Sequence, residues 1–186
     1  MAREQRQHQA QKYTEVVTRT WEDTEFKQRL LGNPRAVLQE HGLSVSNSQT
    51  VRVLEDTADT MYLVLPTKPS GHLSDEELAR LAGQQPEPTR KIGQVLINAW
   101  RDDAFKHRLL GNPDAVLQEH GLPVPAGKAV RVVENTAETV HLVLPVKPNA
   151  ELSEQELEQV TGGMVGLLIF GGAMLGVAAL ECWMDS

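Results

Sequence analysis

Apolar residues along this chain recur first at helical spacing and then at strand spacing, and the succession is run through twice. Val16, Val17, Thr20 and Trp21 fall on one face of a helix, as do Ile92, Val95, Leu96 and Trp100. Phe26, Leu30 and Leu31 continue that apolar face, and Phe105, Leu109 and Leu110 do so in the second run. Next comes "GNP". Asn33 can cap a short following helix, Pro34 suits its first turn, and Gly42 ends it by taking a left-handed conformation. Asn112, Pro113 and Gly121 are the equivalents. "VRVLE" and "MYLVLP" are rich in β-branched and large apolar residues and flank "DTADT", so they read as two strands placed to form a hairpin. A last helix starts at Ser74 and again at Ser153, where Ser74 with Glu77 and Ser153 with Glu156 make capping boxes.

The two runs are one unit written twice. Every match has an offset of 79 residues, and 37 of the 63 positions from Trp21 to Gly83 are identical in the second unit. The pattern predicts an α+β fold: two tandem copies of a small helix-helix-strand-strand-helix domain. Two copies are too few, and the period too long, for a solenoid. The expected divisions are a polar N-terminal tail (1–12), the first domain (13–84), a proline-containing linker (85–91), the second domain (92–163) and an apolar, glycine-rich tail (164–186), helical or disordered.

Composition narrows the class of partner. The net charge of −7 disfavours nucleic acid, because phosphate contacts need clustered Lys and Arg. The one cysteine, Cys182, excludes an internal disulfide framework, and the main body fits a reducing cytoplasm. "MAREQRQHQAQKY" has no apolar core and does not read as a secretory signal.

Catalytic candidates are few. His41 and His120 sit at a helix end, where the dipole favours them structurally, and neither has metal-ligand spacing. The acidic residues of "LEDTAD" and "VENTAE" read as turn formers. Trp21 and Trp100 read as core residues. No phosphate loop, nucleophile elbow or kinase signature appears. The chain is therefore not expected to be an enzyme, and no metal or other cofactor is expected.

The second unit ends in "LSEQELEQVTGG", which resembles the end of a double-glycine leader. Such leaders are removed by the cysteine peptidase domain of a peptidase-containing ABC transporter. The resemblance implies that Leu152, Leu157 and Val160 lie in an apolar groove of the peptidase and that Glu156 contacts its rim. Gly162 and Gly163 would thread a narrow subsite that admits only glycine, with cleavage before Met164. The first unit's "LSDEELARLAGQQ" has Gln84 in place of the second glycine, so it should bind weakly and stay uncut.

Together, Phe105 to Leu110, "GNPDAVLQEHGL", "VRVVENTAETVHLVLP" and "LSEQELEQVTGG" resemble the nitrile-hydratase-like leader peptide family, over residues 13–84 and again 92–163. These are folded leaders of ribosomally made, modified peptides (RiPPs), including the proteusins. The resemblance implies a fold related to the nitrile hydratase α subunit. It also implies a leader docked by RiPP maturation enzymes in the bacterial cytoplasm, and a core peptide exported with cleavage. Nitrile hydratase itself binds iron or cobalt through a Cys-x-x-Cys-Ser-Cys loop that this chain lacks. The doubled unit departs from the family pattern, and the first copy is expected to be an additional docking module that raises effective concentration.

On this reading the tail is apolar because it is cargo, a bacteriocin-like product directed at a membrane. Cys182 and Ser186 are its only thiol and hydroxyl side chains and its candidate modification sites. The rival reading is a tail-anchored membrane protein with tandem interaction domains. Residues 164–180 would span only about 25 Å of the roughly 30 Å of hydrocarbon, and basic flanks are missing. A metalloenzyme of nitrile hydratase type is the least favoured reading.

Overall fold

The computed structural model describes residues 2–43, 45–46, 48–67 and 89–147. The first half folds as α1 (Ala2–Glu22), α2 (Thr24–Gly32), α3 (Pro34–Glu40), β1 (Thr50–Glu55) and β2 (Thr60–Leu65). The second half repeats the order as α4 (Thr89–Arg101), α5 (Asp103–Gly111), α6 (Pro113–Glu119), β3 (Ala129–Glu134) and β4 (Thr139–Leu144). The helices expected from Ser74 and Ser153 lie outside the described residues.

Local chemistry sets the helix boundaries. Asp23 takes an extended conformation and accepts from the Phe26 N–H at 2.9 Å, so the apolar face that runs from Val16 to Leu31 is broken into two helices. Asp102 does the same in the second half, accepting from Ala104 and Phe105. Asn33 closes α2 and caps α3, with its Oδ1 3.4 Å from the Ala36 N–H, and Pro34 fills the first turn. Asn112 has the same backbone conformation but makes no side-chain capping bond. Gly42 and Gly121 stand at φ 69° and 72°, and the Leu43 and Leu122 N–H groups then reach back to Leu38 and Leu117. That is the Schellman closure a left-handed glycine permits.

The strands form where expected, but they do not form hairpins. β1 pairs in parallel with β4, Thr50 opposite Thr139 and Glu55 opposite Leu144. β2 pairs in parallel with β3, Thr60 opposite Ala129 and Leu65 opposite Glu134. Each two-stranded sheet thus takes one strand from each half. The turn between β1 and β2 does reverse the chain, through the Thr57 N–H to Thr60 carbonyl bond and two N–H bonds to Thr57 Oγ1. The Tyr62 N–H, which a hairpin ladder could have used, is instead held by Asp56 Oδ1 at 2.8 Å. Asn135 holds the His141 N–H in the same way at 2.8 Å.

Both cores are consequently mixed. Tyr13, Val16, Phe26, Leu30 and Leu38 of the first half pack with Leu142, Val143 and Leu144 of the second. Ile92, Val95, Leu109 and Leu117 of the second half pack with Met61, Leu63 and Leu65 of the first. Among the described residues, neither half encloses a complete core of its own.

Candidate functional site

Among the described residues, polar chemistry concentrates along the seam where the halves interlock. The Thr50 and Ala129 N–H groups bond to the Glu138 and Asp59 carbonyls at 2.6 and 2.9 Å. At the other end, the Asp56 and Asn135 N–H groups bond to Leu144 and Leu65, both at 2.9 Å. Trp21 and Trp100 pack against the two cores, as expected, and also carry a polar contact. Each is only partly buried, and each indole N–H crosses the seam: Trp21 to the Pro145 carbonyl and Trp100 to the Pro66 carbonyl, both at 2.9 Å. A tryptophan with one apolar body and one satisfied N–H is well suited to such a tie.

The two ends of the seam differ in charge. Asp56 in the first half stands where Asn135 stands in the second, and Tyr13 where Ile92 stands. Tyr13 is fully buried, and its hydroxyl donates to the Val143 carbonyl across the seam at 2.8 Å. Burial raises the Tyr13 pKa, and the neighbouring Asp56 raises it further. Burial pushes the Asp56 carboxyl up to about 7, partly opposed by the Tyr62 N–H that it accepts. Burial thus favours the protonated form of this carboxyl well above the usual carboxylate range. In the second half the place of Tyr62 is taken by His141, whose Nδ1 lies 3.0 Å from Asn135 Oδ1. Burial lowers the His141 pKa, as does Arg52, its neighbour across the β1–β4 pair.

The remaining candidates have structural partners. His41 and His120 close α3 and α6 and meet the Phe26 and Phe105 rings edge-on at 5.3 and 5.4 Å. Glu55 and Glu134 pair with Lys27 and Lys106 at 2.5 and 3.0 Å. Among the described residues, no three His, Cys, Asp or Glu side chains group to hold a metal ion. Leu152, Glu156, Leu157, Val160, Gly162, Gly163, Met164, Cys182 and Ser186 lie outside the described residues. The seam itself escaped sequence reading. The Asp56/Asn135 and Tyr13/Ile92 differences were visible, but nothing local says that they face the other half.

The family described as nitrile hydratase, alpha chain, matches residues 28–86 and again 88–177. The chain belongs to that family. A nitrile hydratase subunit alpha from a Rhodococcus species is 27% identical over 157 residues, 82% of this chain and 71% of that subunit. Polytheonamide B, from a bacterial symbiont of Theonella swinhoei, is 30% identical over 86 residues, 40% of this chain and 59% of that protein. A double mutant of the Fe-type nitrile hydratase from Comamonas testosteroni Ni1 shares the fold at a TM-score of 0.55 and 21% identity, over 91% of this chain and 75% of that one. Family membership corrects the expectation that the chain is not an enzyme: the nitrile hydratase relatives and the structural neighbours, at 21–28% identity, are enzyme subunits. The residues present do not fit the metal centre of the iron and cobalt enzymes. A thiolate centre needs several cysteines, and the whole sequence has one.

Proposed function

We propose that this chain is the precursor of a ribosomally synthesised, modified peptide, in which a duplicated nitrile-hydratase-like body serves as leader and residues 164–186 as the core peptide. The similarity to the proteusin precursor polytheonamide B, at 30% identity over 86 residues, carries this reading. The "LSEQELEQVTGG" junction supports it, because the peptide bond after Gly163 divides the polar body from the apolar tail. Maturation enzymes dock on the folded body in the cytoplasm. A peptidase-containing ABC transporter grips Leu152, Glu156, Leu157 and Val160, cuts between Gly163 and Met164, and releases the core outside the cell. Cys182 and Ser186 are the side chains open to ring-forming modification.

The interlocked seam changes how docking is pictured. Each half contributes strands to the other, so a maturation enzyme meets one body carrying both halves. The first half is then a structural component as well as a docking surface.

The test is the intact mass of the peptide released by a producing strain. A mass matching residues 164–186, offset by the modification, is the expected result. Gly163→Val should abolish release, because a side chain there blocks the narrow subsite. Recovery of the uncut chain in washed membranes, with no released peptide, would replace this reading by the tail-anchor one.

A further inference from the structure

The register of the two sheets maps onto itself. Moving 79 positions turns Thr50 into Ala129 and Thr60 into Thr139, so the Thr50–Thr139 pairing becomes the Ala129–Thr60 pairing. The tryptophan ties behave alike: Trp21 to Pro145 becomes Trp100 to Pro66, while the Tyr13 tie to Val143 has no counterpart at Ile92. The backbone ties also map, since Asp56 to Leu144 becomes Asn135 to Leu65. A contact in which residue i meets j and the equivalent of i meets the equivalent of j is isologous, the form taken by two-fold dimer interfaces.

The residues on the two sides are also nearly interchangeable. Of the twelve strand positions in each half, only four differ: Thr50/Ala129, Leu54/Val133, Met61/Val140 and Tyr62/His141. Val64, Leu65 and Pro66, which would receive Tyr13, Asp56 and Trp21 if the first half met its own kind, are identical to Val143, Leu144 and Pro145. The three residues that receive these ties therefore do not distinguish the other half from a second copy of the same half. Among the described residues, no strand pairs within its own half.

We propose that the face each half turns to the other is a self-complementary mating surface whose partner is a half of the same kind. The chain is a two-fold dimer enclosed in one polypeptide, and it can pair half for half with a second copy of itself. Covalent linkage in one chain keeps the pairing intramolecular, because it raises the effective concentration of one half for the other. Removing that tether opens the exchange.

The experiment begins from the full chain, with a site-specific protease sequence exchanged for residues 84–87 and an affinity tag at the N-terminus of one preparation. Both preparations are cut to completion. The pieces should elute together at the position of the uncut chain. Elution as two separate pieces of about half the mass would overturn the proposal. Cut tagged and untagged chains are then unfolded in denaturant, mixed and refolded. The tag should recover untagged first halves as well as second halves. Recovery of second halves alone would overturn self-mating while leaving the seam intact. Uncut chains carrying cysteines at Thr50 and Thr139 in a Cys182→Ser background should join through a short thiol cross-linker, and chains with cysteines at Thr50 and Leu65 should not. The reverse would restore the hairpin and overturn the proposal independently.

Discussion

Asp56 and Asn135 hold equivalent backbone N–H groups at 2.8 Å, one through a carboxylate and one through an amide. The amide does not titrate, so the cost of keeping it buried is the same at any pH. The carboxyl, raised to about 7 by burial against an unfolded value of about 3.9, keeps its proton in the folded chain where the unfolded chain has released it. Stability should therefore fall as pH rises from about 4 to about 7 and level off above that, by up to about 4 kcal/mol in the ideal case. Asp56→Asn should leave stability at pH 4 nearly unchanged, raise it at pH 8 and flatten the profile, read from urea midpoints at each pH. Asn135→Asp should introduce the same dependence at the other end of the seam. Trp21→Phe and Trp100→Phe each remove one indole donor and leave a proline carbonyl unpaired, at about 1 kcal/mol each by the same measurement. At this scale much was legible. The caps at Asn33 and Pro34 and the left-handed Gly42 and Gly121 follow from side-chain and backbone chemistry within a few residues. The tryptophan partners did not, since each lies in the other half.

The elements were also largely legible, because periodicity is a property of short windows. The strands occupy the apolar runs on either side of "DTADT" and "NTAET", as the alternation required. The breaks at Asp23 and Asp102 were missed because the apolar spacing continues across them; only the capping geometry shows two helices. Asp102 accepts from two N–H groups, so Asp102→Ala should cost about 1 kcal/mol. Asn33→Ala should cost about 0.5 kcal/mol, and Asn112→Ala less, because Asn112 makes no capping bond. Thermal midpoints of the three variants in parallel give the order.

At the scale of the whole molecule, mixed cores couple the halves. Leu30→Ala opens a cavity in one core and Leu109→Ala in the other, each at about 2 to 5 kcal/mol. Both variants should shift one common unfolding transition, since each core is built from strand residues of both halves. Two separate transitions, each moved by one variant alone, would mark independent domains. A chain lacking residues 1–90 loses β1, β2 and the residues they contribute to both cores. It should elute as a dimer, its β3 and β4 pairing with those of a second copy.

By itself the sequence determined the doubled α+β pattern, the cap at Asn33, the left-handed Gly42 and Gly121 and the strand positions. Each of these is written in spacing or in chemistry a few residues wide. Only the tertiary structure decided which strands pair. β1 can meet β2 beside it or β4 in the other half, and the local pattern of apolar residues satisfies either. The choice rests on contacts some 90 residues apart, namely the β1–β4 ladder, and on longer ties such as Tyr13 to Val143. It is made when both cores close at once, and no single stretch of the chain carries it.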